Sequence, residues 1–237
     1  MARTLVVRHA QTVWNAEGRW QGHADPPLSQ LGTSQCVSAA EALRPEKFDL
    51  VVTSDLVRAR RSGELLAAGW DWPVELAVEP MLRERDIGEW SALTTSEIKA
   101  RWPEEFAAFT SDEGATSPGG EPLEDFDART VTAMRRVAEI VVLSGRRRAL
   151  VVTHGGVLRS LRRRSGLPHL PVGHLSGGWV DLEGEITLSS WVELCEPAGR
   201  EPGQLSAGGQ LLREPVTQLL REPVTGDAGG ESHSAWL

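Results

Sequence analysis

Three short runs constrain this chain more than anything else in it: Leu5-Val6-Val7-Arg8-His9, Leu50-Val51-Val52-Thr53-Ser54 and Leu150-Val151-Val152-Thr153-His154. Each is a compact apolar segment closed by polar residues, the pattern of a strand buried on both faces of a parallel sheet. A helix-compatible stretch follows each run, and strands alternating with helices predict βαβ units. The expected fold class is α/β with a mostly parallel central sheet. If the runs lie side by side, their polar last residues gather at the C-terminal edge of the sheet, where such sheets bind ligands. Two histidines and a serine, far apart in sequence, then share one crevice.

Helices are predicted over 29–44, 55–68, 123–144 and 156–165. In the third, Val131, Met134, Val137, Ala138 and Val141 recur at helical spacing and should face the core. Residues 85–122 are rich in turns and acids and read as an excursion over the crevice. Val180 to Leu194, with apolar runs on either side of Glu183-Gly184-Glu185, reads as a hairpin at the sheet edge. From Pro197 the character changes. A Pro/Gly-rich tail carries one octapeptide twice in tandem, Gln210 to Thr217 and Gln218 to Thr225. Two copies are too few for a solenoid. The expected organisation is one folded domain over 1–196 and a disordered tail over 197–237, with a docking segment built on the Leu-Leu pairs as the alternative reading of the tail.

Composition excludes several classes. The 237 residues carry 25 basic against 33 acidic side chains, a net charge of −8, which argues against a general nucleic-acid binder. The triplets Arg146 to Arg148 and Arg162 to Arg164 read as solvated surface. No run approaches the roughly 18 apolar residues of a membrane span, and the first residues are too short an apolar stretch for a secretory signal. Two cysteines cannot make a disulfide framework, and Cys36 reads as a small buried hydrophobe. A cytoplasmic protein with neither membrane nor nucleic acid as a partner is expected.

The residues closing the strands carry the chemistry. Arg8-His9, with Asn15 a short turn later, suits an anion site with a nucleophile or base inside it. His154-Gly155-Gly156 leads straight into a helix, whose N-terminus favours an anion and whose glycines permit close approach. Ser54-Asp55-Leu56-Val57-Arg58 places a guanidinium on the first turn of the next helix, pointing back to the same crevice. Two Arg and two His converging there suit a phosphoryl group, for which Arg supplies planar bidentate donors.

Arg8-His9-Ala10-Gln11-Thr12-Val13-Trp14-Asn15 resembles the signature of the histidine phosphatase superfamily, which includes the cofactor-dependent phosphoglycerate mutases. Further matches follow in order: Gln21 to Leu28, Ser54 to Ala59, Leu82-Arg83-Glu84 with Gly88-Glu89-Trp90, Gly119-Gly120-Glu121, and Thr153-His154-Gly155-Gly156. The resemblance spans residues 3–194 and implies a three-layer α/β/α sandwich. It implies that His9 attacks phosphorus, that Arg8, Arg58 and His154 surround the phosphoryl oxygens, and that Asn15, Gln21, Gly22 and Gly155 help to bind them. Glu84 would protonate the leaving oxygen and then activate water. Neither metal nor other cofactor is implied. The substrate would be a small phosphomonoester, and association into dimers or tetramers is a family habit. An acid at 84 works best away from neighbouring positive charge, so Arg83 and Arg85 are expected to point outward.

Two departures stand out. Ala10 replaces the glycine usual after Arg-His, and Ser91-Ala92 replaces the Glu-Gly often seen after the tryptophan. An ordinary backbone at residue 10 would make its methyl harmless, which is the expectation. Residues 104–127 hold eight acids and no Lys or Arg, with only Lys99 and Arg101 just before. A mutase needs extra cations there, so phosphomonoester hydrolysis is expected, on a substrate with a neutral or weakly charged body, with the mutase as the alternative. Trp14, Trp20 and Trp90 could form an aromatic wall. A non-catalytic binding module is the reading from another class, opposed by the joint retention of His9, Glu84 and His154.

Overall fold

The computed structural model describes residues 3–111, 115–182 and 184–195. The elements follow in the order β1 (Arg3–Arg8), α1 (Val13–Ala16), α2 (Gln30–Leu43), β2 (Leu50–Thr53), α3 (Val57–Ala68), β3 (Glu75–Val78), α4 (Thr95–Arg101), α5 (Pro103–Ser111), α6 (Leu123–Ser144), β4 (Arg148–Thr153), α7 (Gly155–Arg164), β5 (Ser176–Asp181) and β6 (Thr187–Glu193). One sheet has the strand order β3-β2-β4-β1-β5-β6. The three similar runs are its neighbouring strands β2, β4 and β1, all parallel. Their ends align: Arg8 pairs with Thr153 and Thr53 with Val152.

Alternation along these strands assigns the two faces. Leu5, Val7, Val51, Leu150 and Val152 pack with Cys36, Ala39, Ala40 and Leu43 of α2 and with Ala59 and Leu66 of α3. Val6, Leu50, Val52, Ala149 and Val151 pack with Ala133, Met134, Val137 and Val141 of α6 and with Val157, Leu158 and Leu161 of α7. Helices therefore cover both faces, giving three layers, and Cys36 is wholly buried as expected. In α6 the core-facing side chains are Phe126, Thr130, Ala133, Met134, Val137 and Val141. Val131 and Ala138 are only half-buried flanks of that stripe.

Helix ends follow local chemistry. Ser29 caps α2 by accepting the Gly32 N–H at 2.9 Å. Thr94 and Glu97 close a capping box on α4, and α6 stops at Gly145 with φ 68°. The excursion over 85–122 contains α4 and α5 and has its own small core of Ile87, Trp90, Ile98 and Phe106. The edge hairpin of β5 and β6 is present and starts earlier than expected, at Ser176, where two glycines hide the strand pattern. Strand β3 gave no signal: it is a four-residue edge strand, mostly exposed, without alternation. The tail over 197–237 lies outside the described residues, as do Asp112, Glu113 and Glu183. Among the described residues no helix is long and apolar enough to cross a membrane.

Candidate active site

The C-terminal ends of β1, β2 and β4 open into a cavity of about 270 Å³. Arg8, His9, Asn15, Gln21, Gly22, Arg58, Glu84 and Gly155 all line it. His154 belongs to the same cluster but lies behind it, fully buried, with its ring centroid 5.3 Å from that of His9.

His9 is 3% exposed. Its backbone N–H continues the β1–β4 ladder to the Thr153 carbonyl at 2.8 Å. Its Nδ1 lies 2.7 Å from the Ala10 carbonyl. A carbonyl can only accept, so Nδ1 carries the proton and Nε2 keeps the lone pair. Burial, and then Arg58, His154 and Arg8, hold the imidazole well below its ordinary pKa, so it stays neutral. Ala10 itself has no positive φ. Its N–H reaches Ser62 Oγ at 3.0 Å, and its methyl is fully buried in the core. The alanine is thus a packing residue on ordinary backbone.

The two cations are built differently. Arg58 is almost fully buried, and its guanidinium donates to the carbonyls of Gly22 (2.8 Å) and Ala24 (2.7 Å). The Asp25 carboxylate accepts the Val57 N–H at 2.8 Å, capping α3 from outside, and stands 3.9 Å from Arg58. The segment Gly22 to Asp25 therefore holds Arg58 in place. Arg8 donates to the Val172 carbonyl at 2.7 Å. Burial lowers both guanidinium pKa values to about 10, which leaves them charged at neutral pH. The Nε atoms of both are buried without a protein partner among the described residues. Asn15 and Gln21 use their side-chain oxygens on Thr12, so their NH₂ groups remain available as donors.

His154 Nε2 lies 2.7 Å from Ser54 Oγ, so the residues closing β2 and β4 meet directly. Its Nδ1 is buried and unpartnered among the described residues, and burial with Arg58 and Arg8 holds this ring neutral too. Because the His154 side chain is committed here, α7 starts without a side-chain cap. Its free first-turn N–H goes instead to Glu84: Gly156 N–H stands 3.0 and 3.1 Å from the two carboxylate oxygens. A Cβ at residue 156 would overlap Glu84 Oε1, so glycine is required for the carboxylate to sit there. The Glu84 segment is fixed from below by Thr153 Oγ1 on the Leu82 carbonyl at 2.7 Å. Arg129 fixes it from the side through the carbonyls of Met81, Arg83 and Glu84 and a bidentate pair with Glu121. Arg129 gave no signal in the sequence, since nothing local marks an arginine of α6 that reaches across to this segment.

Several expectations change. Arg83 points outward, in a bidentate pair with Asp55. Arg85 does not: it lines the cavity and donates to the Glu121 and Ala115 carbonyls. Arg162 and Arg163 are not solvated surface. Arg162 is 5% exposed and bonds the Pro168 carbonyl, while Arg163 lines the cavity and pairs with Asp127 at 2.7 Å. Of the three tryptophans only Trp20 lines the cavity, beside Phe109 and Ile87. Trp90 is buried behind them, and Trp14 is not on the wall. Ala92 proves to be the strained departure, at φ 69°.

The cavity thus brings two buried guanidinium groups, a neutral imidazole and a carboxylate together at the ends of the parallel strands. The description of the histidine phosphatase superfamily (branch 1) matches residues 4–175. The chain belongs to that superfamily. It is 37% identical to a 2,3-bisphosphoglycerate-dependent phosphoglycerate mutase of Methylocella silvestris, over 68% of this chain and 80% of the relative. It is 33% identical to a glucosyl-3-phosphoglycerate phosphatase of Mycolicibacterium vanbaalenii, over 81% of this chain and 84% of the relative. The structure of an alpha-ribazole phosphatase from Shigella flexneri superposes with a TM-score of 0.68 at 26% identity, covering 84% of this chain and 99% of that one.

Proposed function

We propose that this chain is a metal-independent phosphomonoesterase acting through a phosphohistidine. The observation that carries the reading is the state of His9: neutral, protonated on Nδ1 by its bond to the Ala10 carbonyl, and set with a free Nε2 among Arg8, Arg58 and His154. Nε2 attacks phosphorus, and the P–O bond to the leaving alcohol breaks as the P–N bond forms. Arg8, Arg58 and the NH₂ groups of Asn15 and Gln21 take the negative charge on the equatorial oxygens. Ser54 donates to His154 Nε2, which leaves the Nδ1 proton of His154 as one more donor. Glu84, held at the N-terminus of α7, gives a proton to the leaving oxygen. It then removes one from the water that attacks the phosphohistidine and returns His9 to its starting state.

Of the cations carried by or just before the excursion, Arg85 lines the cavity but is held by the Glu121 and Ala115 carbonyls, and the two that a mutase would use lie away from it, which supports hydrolysis over that alternative. Lys99 sits over the ring of Phe106, and neither it nor Arg101 lines the cavity. Relatives of both kinds, mutase and phosphatase, are similar to this chain. The test is release of inorganic phosphate from an aryl phosphate with chelator present, over about pH 4 to 8, comparing the full chain with His9→Ala. Turnover that persists in chelator and vanishes in the variant is expected, with an acid-labile phosphoprotein trapped on quenching. Isomerisation of a phosphoglycerate without phosphate release would select the mutase instead. Activity unaffected by His9→Ala would refute the site.

A further inference from the structure

The cavity wall carries more positive charge than the phosphoryl chemistry uses. Gly155, Arg159 and Arg163 are spaced four apart on α7 and all three line the cavity. Helical side chains lean toward the N-terminus, and Arg159 accordingly reaches back over Gly155. A Cβ added at Gly155 would stand 3.2 Å from Arg159 Nη1 and 3.8 Å from Arg8 Cδ. The Arg159 head group thus sits beside Arg8 across one glycine, close enough that its charge is the main electrostatic cause of the lowered Arg8 pKa.

The other wall cations are already occupied. Arg19 pairs with Glu17 and Glu97, Arg85 holds carbonyls of the excursion, and Arg163 pairs with Asp127. Among the described residues no acid is in ion-pair range of Arg159. Glu84 offsets part of the charge on Arg8, whereas Arg159 has no such acid among the described residues, and two guanidinium groups side by side repel each other. One phosphoryl group at His9 engages Arg8 and Arg58 and leaves Arg159 on the wall to receive a further anion.

We propose that Arg159 is a specificity-determining residue that binds a carboxylate on the substrate body, close to the phosphoryl group being transferred. A carboxylate fits better than a second phosphoryl group. One unpaired guanidinium balances one negative charge, and the neighbouring Arg163 is already matched by Asp127 at 2.7 Å, so Arg159 has no second cation beside it on α7 with which to hold a dianion. This narrows the expected neutral or weakly charged body to one with a single negative charge. It uses the reading of His9 only to place the phosphate, and its test is separable from that reading.

The measurement is the ratio of kcat/KM for 3-phosphoglycerate over glycerol 3-phosphate, which differ by a carboxylate against a hydroxymethyl group. A charge-assisted pair corresponds to a preference of about tenfold to hundredfold in the wild type. In Arg159→Met the ratio should collapse toward unity, with Arg159→Lys between the two. Calorimetric binding of the same two compounds to His9→Ala reads the same difference in Kd without turnover, so a failure of the hydrolysis reading leaves this test intact. Absence of a wild-type preference, or a ratio unchanged in Arg159→Met, would overturn the proposal. So would an Arg159-dependent preference confined to glucose 1,6-bisphosphate over glucose 6-phosphate, which would assign the residue to a second phosphoryl group.

Discussion

Replacing Ala92 by glycine should stabilise this protein, and replacing Ala10 by glycine should destabilise it. Ala92 sits at φ 69°, in the left-handed region. It cannot relax, because its N–H donates to the Trp20 carbonyl at 2.8 Å and its own carbonyl accepts from Arg19 at 2.8 Å. An L-residue with a Cβ loses about 1–2 kcal/mol in that conformation. Glycine removes the clash and returns about 0.5–1 kcal/mol through the greater entropy of the unfolded chain. The net gain for Ala92→Gly is about 0.5–1 kcal/mol, a rise in Tm of roughly 2–3 °C for a domain of this size. Ala10 has ordinary φ and a fully buried methyl. Its removal loses about 0.8 kcal/mol of burial and adds about 0.5–1 kcal/mol of backbone entropy, together about 1.5 kcal/mol. Urea unfolding followed by the fluorescence of the nine tryptophans reads both as shifts in midpoint at constant m. A midpoint for Ala92→Gly at or below that of the wild type would refute the strain argument. A gain in kcat/KM for Ala10→Gly on an aryl phosphate would refute the view that this methyl is only packing.

Two further outcomes follow from the site. His9 and His154 are held well below the ordinary imidazole pKa, and His174 is lowered to about 3, by burial first in each case. The unfolded chain therefore binds more protons, so stability is full above about pH 6.5 and falls as pH drops, by about 1.4 kcal/mol per pH unit for each imidazole. Urea midpoints taken down to about pH 4.5 should show a slope shallower by that amount in His174→Asn, and an unchanged slope would contradict it. Gly156→Ala puts a methyl onto Glu84 Oε1 and 3.1 Å from Phe126 Cζ. The carboxylate, at the end of a flexible side chain, gives way, so kcat should drop about tenfold to hundredfold with little loss of stability. Unchanged kcat would mean that the position of Glu84 does not matter.

The strand-end residues were legible because their surroundings are written locally. Leu5 to Val7, Leu50 to Val52 and Leu150 to Val152 are apolar on both faces, and only central parallel strands need that. Their aligned ends then bring His9, Ser54 and His154 together. Helix α2 was legible from Ser29 and the run behind it, and α6 to its last residue before Gly145. Strand β3 was not, because a short exposed edge strand has neither alternation nor burial to leave a pattern.

What only the tertiary structure decided is direction and partner. Arg83 and Arg85 are two residues apart, yet one pairs outward with Asp55 and the other turns into the cavity. Arg162 and Arg163 are adjacent, yet one is buried against the Pro168 carbonyl and the other faces the site. The proton on His9 Nδ1, the Gly156 N–H on Glu84 and the reach of Arg129 to three carbonyls all depend on groups brought close by folding. Residue order along the chain therefore determined which chemistry is present and on which strands. The sign and placement of charge around it came from which side chains share a buried space, because burial and Coulomb interactions act through distance in three dimensions and not along the sequence.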